Sequence, residues 1–357
     1  MHRLSPIIAL AVMMLARTSL WSAEFDSRQA DHPFGERVEL VRMHQARIVI
    51  NTAPAQRFAQ TRPTRIVLYA LPNGNTIEHT IGCRTDPQRD WHFDIQHIGA
   101  QTRLLREIQP NLNLVVAYLE AEGLSWPAWR QKRPESAALI REIVDHVFAH
   151  VPGSDKRLTL AAHSGGGSFI WAYLDGGDAI QGSIQRIALL DANYSYSDER
   201  RHGEKLLAWL KADSSRVLVV IAYDDRQVML NGRPVVGATG GTYRASHRMI
   251  DRFAQDVTFD SNDDQIWERR SAMDGQLRFL IHRNPHRKIL HTALVAEMNG
   301  YVHAMTVHTP RENVWGTFGG PRAYEKWIQT APSELAQASA ATPQTSAATA
   351  RASAATA

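Results

Sequence analysis

Cysteine is almost absent from the 357-residue chain, which contains only Cys83. A single cysteine excludes an intramolecular disulfide and any zinc site built from several thiolates. The fold must therefore be held together by its own core. Apolar residues make up 44% of the chain, which at this length is enough to build a large core.

Charge of one sign is not concentrated anywhere in the chain. The chain has 40 Lys and Arg residues and 36 Asp and Glu residues, which gives a net charge of +4, and no basic block of five or six residues occurs. Nucleic acid is therefore not expected as a partner. The H-E-x-x-H motif is also missing, and His282, His286 and His291 have no carboxylate close by in the sequence, so no metal site is expected.

Long hydrophobic runs are missing after the N-terminal segment, so no membrane span is expected in the mature chain. Residues 1–23 begin with His2 and Arg3, continue with a short apolar run and end in small residues. This pattern is typical of a secretory signal peptide, with an uncleaved N-terminal anchor or a frayed terminus as the alternatives. Residues 333–357 are almost wholly Ala, Ser, Thr and Gln and are expected to be disordered. We therefore expect an exported protein with one folded domain over residues 24–332.

Strand-like and helix-like segments alternate from residue 37 onward, which is the pattern of βα units. Apolar runs predict eight strands, the first two as an antiparallel pair, over residues 38–41, 46–50, 65–70, 113–118, 157–162, 186–190, 216–222 and 276–282. Helical spacing predicts helices over residues 94–107, 135–150, 168–174, 204–210, 247–253 and 289–298. The predicted fold class is α/β, with a mainly parallel eight-stranded sheet flanked by helices.

A glycine-rich turn after the fifth predicted strand carries the main candidate for chemistry. Ser164 lies between Ala162 and Gly166 in the pattern A-x-S-x-G, a variant of the nucleophile elbow. A serine in so sharp a turn brings the residues two before and two after it together, so both must be small. The turn also puts the Gly165 N–H at a helix N-terminus, where it can donate to an oxyanion. The alternative is a tight turn that only links a strand to a helix.

On this motif and the strand order, residues 37–329 resemble the α/β-hydrolase superfamily. The resemblance implies a serine, an acid and a histidine in that chain order, and it requires no cofactor. It also implies a second oxyanion donor in the loop after the third strand. That loop here contains Asn73, Gly74 and Asn75, whose backbone N–H groups are candidates; an ordinary Asn-Gly turn is the alternative.

A serine hydroxyl is a weak nucleophile until a neighbouring base takes its proton. The resemblance implies a histidine after the last strand, where His291, His303 and His308 are available. We favour His303, because Asn299 and Gly300 predict a turn immediately before it, as a loop-borne base requires. His291 falls instead on the face of a predicted helix.

The carboxylate that orients the histidine has two candidate positions. Asp224 and Asp225 follow the seventh predicted strand, which is the usual position in the superfamily, whereas Asp191 follows the sixth. Both strand ends are expected at the same sheet edge as the elbow. We favour Asp224 or Asp225, and each of the three could instead cap a following helix or turn.

These residues predict an exported serine hydrolase that acts on a small-molecule or polymeric ester through an acyl-enzyme. Ser164 would attack the carbonyl carbon, His303 would move the proton, and Asp224 or Asp225 would orient the histidine. A serine peptidase or amidase on the same fold is the first alternative. A non-catalytic binding protein that kept the fold is the second, and no oligomeric state is predicted.

Overall fold

A computed structural model describes residues 24–26 and 34–332. The predicted signal peptide and C-terminal tail, residues 1–23 and 333–357, lie outside the described residues. The strands are β1 (Glu24–Asp26), β2 (Arg37–Met43), β3 (Ala46–Thr52), β4 (Pro63–Ala70), β5 (Asn113–Ala121), β6 (Ser154–His163), β7 (Ile184–Leu190), β8 (Val217–Tyr223), β9 (Met229–Leu230), β10 (Arg233–Pro234), β11 (Asp260–Ser261), β12 (Trp267–Ala272) and β13 (Leu277–His282).

Eleven of these strands form one mixed sheet in the order β1-β2-β3-β5-β4-β6-β7-β8-β13-β12-β11. The six strands from β5 to β13 in that order are parallel, and the strands at both edges are antiparallel. All eight predicted strands are present, as β2 to β8 and β13, so the mainly parallel α/β class is confirmed. The sheet has three strands more than predicted. Of these, β1 and β11 are very short and β12 has the polar sequence WERRSA, so none has the apolar run of a central strand.

The helices are α1 (Ile77–Ile81), α2 (Ile98–Ile108), α3 (Trp126–Gln131), α4 (Ser136–His150), α5 (Gly167–Asp175), α6 (His202–Lys211), α7 (Thr242–Phe253) and α8 (Gly300–Thr306). They cover both faces of the sheet. One core cluster lies between one face and α3 to α7, and the other lies between the opposite face and α1, α2 and α8. Every helix among the described residues is too short or too polar to cross a lipid bilayer.

The helix predicted for residues 289–298 does not form. Residues 291–298 make a series of turns, in which the N–H of Leu294 donates to the Leu290 carbonyl and that of Met298 donates to the Ala293 carbonyl. Leu290, Leu294 and Val295 are nevertheless buried in the core. Their helix-like spacing therefore reflects burial of one side of an irregular segment rather than a helical hydrogen-bond pattern.

Candidate active site

The turn after β6 has the geometry of a nucleophile elbow. Ser164 directly follows β6, has a left-handed backbone with φ of 53°, and leads through one 3-10 turn into α5. The turn is tightly packed, because a Cβ on Gly166 would overlap the carbonyl oxygen of Ala70 at the end of β4. A positive φ is costly for a serine and occurs where the surrounding structure imposes it. The predicted strand-turn-helix context is therefore confirmed.

The loop after β4 lies directly against this elbow. A Cβ on Gly165 would overlap the side chain of Asn73, so these two residues are in close contact. The N–H of Asn73 has no hydrogen-bond partner among the described residues. The Gly165 N–H lies in the first helical turn, which has no preceding helical carbonyl to accept it. Asn73 and Gly165 thus remain the candidates for oxyanion donors.

Gly74 and Asn75 have other backbone partners, which corrects the expectation for their N–H groups. The N–H of Gly74 donates to the Leu124 carbonyl at 2.8 Å, and that of Asn75 closes a turn on the Pro72 carbonyl at 3.4 Å. The buried side chain of Asn75 also donates to the Asn73 carbonyl at 3.2 Å. These two residues therefore hold the loop in shape rather than offer free donors.

A histidine and a carboxylate meet beside the elbow, and they are His291 and Asp191. The His291 ring lies 4.6 Å, centre to centre, from the ring of His163, the residue that immediately precedes Ser164. Its Nδ1 is 2.5 Å from Oδ2 of the fully buried Asp191. Because a carboxylate accepts this bond, Nδ1 carries a proton, and in the neutral ring Nε2 then has the lone pair. His291 thus has the tautomer that a base for a serine hydroxyl needs.

Asp191 is held in place from three sides. It directly follows β7, the neighbour of β6, and has a left-handed backbone with φ of 48°. Its N–H donates to the Ile221 carbonyl of β8 at 2.7 Å. Its Oδ1 accepts the hydroxyl of Thr242 at the start of α7, so both carboxylate oxygens have a donor. A buried, fully hydrogen-bonded carboxylate is suited to orient an imidazole.

His163 supports the segment that carries His291, a role for which sequence reasoning had no signal. Its side chain is buried, and Nε2 donates to the backbone carbonyl of His291 at 3.0 Å. Burial, reinforced by the neighbouring His291, lowers the pKa of His163 well below its usual value. His163 is therefore neutral and has one ring proton, which we assign to Nε2, because Nε2 is 3.0 Å from the His291 carbonyl whereas Nδ1 is 3.3 Å from Oε1 of Gln96.

The structure does not bring His303 to this edge of the sheet, which corrects the sequence expectation. His303 lies in α8, stacked on Phe318 at 4.8 Å, and its Nδ1 is buried without a described partner. Burial, followed by the positive charges of Arg278 and Arg186, lowers the pKa of His303 to about 4. Arg186, four residues before the end of β7, donates to the Ala304 carbonyl next to His303. This contact places that part of α8 about 13 Å along the strand from the edge that carries the elbow.

Neither Asp224 nor Asp225 has a hydrogen bond to a histidine side chain in the described part of the chain. Asp224 forms an ion pair with Arg226 at 2.7 Å. Burial alone would raise the pKa of Asp224, but the bonds to Arg226 lower it. Asp225 is buried, and its Oδ2 accepts the N–H of Thr242 at 2.8 Å. The preferred acids thus lie at the expected sheet edge but contact other groups.

Both members of the observed pair were within reach of sequence reasoning. Asp191 was correctly placed at a strand end on the elbow edge, and His291 was among the three histidines after the last strand. What obscured His291 was the helical spacing of Leu290, Leu294 and Val295 around it, because that pattern placed the histidine on a helix.

The order of the eight core strands and the elbow after the fifth are those of an α/β-hydrolase type of fold. No family model matches the chain, and no curated protein matches its sequence.

Three solved structures illustrate what the chain is similar to. A glucuronoyl esterase from Solibacter usitatus is 12% identical with a TM-score of 0.39, over 74% of this chain and 81% of that one. A mutant of the feruloyl esterase module from Clostridium thermocellum is 10% identical with a TM-score of 0.42, over 72% and 84%. A dienelactone hydrolase-like phosphotriesterase from metagenomic libraries is 12% identical with a TM-score of 0.36, over 73% and 82%.

Proposed function

We propose that the protein is a serine hydrolase that cleaves carboxylic esters, with Ser164, His291 and Asp191 as its catalytic triad. The observation that carries the proposal is the 2.5 Å bond from His291 Nδ1 to the buried Asp191, directly beside a serine in a strained elbow. A strained serine, a histidine in the required tautomer and a buried carboxylate at one sheet edge are the parts of an acyl-transfer site.

In the proposed mechanism, Ser164 Oγ attacks the ester carbonyl carbon while His291 Nε2 accepts its proton. Asp191 stabilises the imidazolium that forms, and the N–H groups of Gly165 and Asn73 donate to the oxyanion. His291 then protonates the leaving alcohol as the carbon–oxygen bond breaks. A water molecule, deprotonated by His291, attacks the acyl-enzyme. His291 then returns the proton to Ser164 Oγ as the acyl carbon–oxygen bond breaks, which releases the carboxylic acid and free Ser164.

The hydroxyl of Ser164 has no hydrogen-bond partner among the described residues. In a serine hydrolase without substrate, the bond between nucleophile and base is often long and shortens only in the reacting complex. The free hydroxyl is therefore compatible with the proposal. The proton would pass to His291 when the acyl group enters the site.

Turnover of short-chain p-nitrophenyl esters, compared with peptide p-nitroanilides, tests the proposed activity. We expect ester hydrolysis that Ser164→Ala reduces by at least about 1,000-fold, because removal of a nucleophile leaves only binding and oxyanion stabilisation. The exposed Ser214→Ala is the matched control and should retain wild-type activity. Preferred cleavage of the anilides would indicate a peptidase or amidase. A folded wild type that cleaves neither substrate would contradict an enzymatic role.

We also propose that residues 1–23 direct export of a hydrolase domain formed by residues 24–332. The basic start, short apolar run and small residues at 22 and 23 support this proposal. We expect the exported protein to begin near residue 24 when its N-terminus is sequenced. Accumulation in the cytosol with Met1 retained would contradict the proposal.

A further inference from the structure

A second buried carboxyl group lies directly behind the proposed triad acid, and the mechanism above does not use it. Asp191 and Asp225 both contact Thr242, the first residue of α7. The Thr242 hydroxyl donates to Asp191 Oδ1 and lies 3.4 Å from Asp225 Oδ2. The Thr242 N–H donates to the same Asp225 oxygen at 2.8 Å. All three residues are buried, so the two carboxyl groups and the threonine form one unit, which we call the carboxyl pair.

The two carboxyl groups of the pair are not equally supplied with donors. Asp191 accepts a bond on each oxygen, from Thr242 and from His291. Asp225 accepts on Oδ2, but its Oδ1 is buried with no hydrogen-bond partner among the described residues. A buried anionic oxygen without a donor is costly, and a proton on Oδ1 would remove its charge. The geometry therefore places a proton held by the pair on Asp225 rather than on Asp191.

No ion pair within the described part of the chain neutralises Asp225. On its own element, Asp224 is paired with Arg226, and the buried Tyr223 is a neutral phenol. A Cβ on Gly241, just before α7, would lie about 2.5 Å from the Asp225 carboxylate, so this side is closed by backbone.

The remaining groups around Asp225 come from three other segments. Asp191 and Tyr194 follow β7, and both face it. From α7, Arg244 donates to the carbonyls of Gly237 and Gly240 rather than to a carboxylate. His291, from the segment after β13, contacts only the Asp191 member of the pair. Burial, together with the negative charge of Asp191, raises the pKa of Asp225 to about 6.

We infer that Asp225 is a positioning residue of the proposed active site, whose proton, held behind Asp191 through Thr242, sets the pH at which His291 becomes a competent base. This inference rests on the triad assignment of the proposed function. When Asp225 is protonated, only the charge of Asp191 stabilises the His291 imidazolium. When Asp225 loses its proton, a second negative charge behind Asp191 stabilises the imidazolium further.

His291 acts as a base only in its neutral form, and ionised Asp225 holds it protonated to a higher pH. Asp225→Asn keeps the shape of the side chain but stays neutral at every pH. In this variant the acid limb of kcat/KM for p-nitrophenyl ester hydrolysis should move to lower pH by about one pH unit, the size expected for one added charge at an effective dielectric constant near 20.

The experiment compares wild type, Asp225→Asn and the matched control Asp224→Asn, all as the full chain. Asp224 has the same charge one residue away, but its carboxylate is paired with Arg226 rather than with Thr242. We expect the acid limb to shift in Asp225→Asn and to stay at the wild-type position in Asp224→Asn. Equal profiles for all three proteins, or equal shifts in both variants, would overturn the inference.

A second readout separates this inference from the proposed function. In histidine-labelled protein, the ring resonances of His291, assigned with His291→Gln, report its pKa by NMR whether or not the protein hydrolyses an ester. A lower pKa of His291 in Asp225→Asn without ester hydrolysis would support the carboxyl pair and contradict the esterase. Ester hydrolysis with an unchanged pKa of His291 would support the esterase and contradict the carboxyl pair.

If Asp225→Asn does not fold, Asp225→Ser gives the same neutral site with a smaller side chain and the same expected shift.

Discussion

At the scale of single residues, the candidate site depends on side chains whose hydrogen bonds leave one free atom in the right place. His291 uses Nδ1 on Asp191, and this leaves Nε2 for the serine. Asp191 uses both oxygens and cannot turn away from the histidine. His163 donates its only ring proton to the backbone of His291, so the residue next to the proposed nucleophile also positions the proposed base. The geometry of the candidate site thus depends on hydrogen bonds made by groups next to Ser164 and His291 rather than on bonds between these two residues.

His163→Phe tests this backbone contact. The phenyl ring fills the buried space but cannot donate to the His291 carbonyl, so the segment carrying the base loses an anchor of about 1–1.5 kcal/mol. We expect kcat/KM for ester hydrolysis to fall about tenfold with little change in KM. His163→Gln keeps an N–H donor and should retain more activity. Wild-type kinetics in the folded His163→Phe variant would show that the contact does not position the base.

At the scale of elements, the site is built at the carboxyl ends of adjacent parallel strands. Ser164 follows β6, Asp191 follows β7 and Asp225 follows β8 by one residue, while the loop after β13 brings back His291. The register pairs His163 with Leu190 and Leu190 with Ile221, so β6 and β7 end level and β8 extends two residues further. The carboxyl ends of parallel neighbours lie at one sheet edge, and there the Thr242 side chain contacts both candidate acids.

Gly166→Ala tests the close packing of the elbow element. A Cβ at this position would overlap the Ala70 carbonyl oxygen in β4, and backbone cannot move aside as a flexible side chain can. We expect the free energy of unfolding to fall by roughly 2 kcal/mol or more and ester hydrolysis to be lost. Urea unfolding followed by circular dichroism measures the first effect. Gly237→Ala is the matched control, because a Cβ there meets nothing within 4 Å, and it should be close to neutral. An equally small effect of both substitutions would contradict the observed packing.

The elements also show which parts of the fold could be predicted. The central strands are apolar runs of five or more residues, and their burial on both faces makes them visible in the sequence. The elbow was visible because close packing demands small residues at fixed spacing. The irregular segment around His291 could not be predicted, because its buried Leu290, Leu294 and Val295 have the spacing of a helix face. Only its hydrogen bonds distinguish this segment from a helix, and they depend on contacts with residues far away in the chain.

At the scale of the whole molecule, ion pairs tie the helices on one face of the sheet to each other. Asp175, at the C-terminal end of α5, accepts from Arg130 of α3, from Arg200 and from the buried His202 of α6. Burial alone would raise the pKa of Asp175, but the bonds to His202 and the nearby positive charges lower it to about 2. One carboxylate thus connects three helices, and its contribution to stability depends on its charge.

Acid unfolding of Asp175→Asn tests this contribution. The pKa of Asp175 is lower in the folded chain than in the unfolded chain, so its stabilising effect is complete above about pH 4 and disappears as the pH falls towards 2. We expect the variant to have a lower urea midpoint than wild type at pH 7, and the difference to shrink between pH 4 and pH 2. Asp178→Asn, at an exposed position nearby, is the control and should match wild type throughout. A difference that stays constant with pH would indicate that the charge of Asp175 is not what stabilises the fold.

The central claim is that Ser164 is activated by His291 and Asp191. Labelling of the folded protein with a fluorophosphonate, followed by mass mapping of the modified residue, tests it most directly. We expect wild type and His303→Ala to be labelled at Ser164, and Ser164→Ala and His291→Ala to remain unlabelled. Asp191→Asn should be labelled much more slowly, because the histidine loses its required tautomer. Labelling of Ser164 that persists in His291→Ala but is lost in His303→Ala would contradict the account.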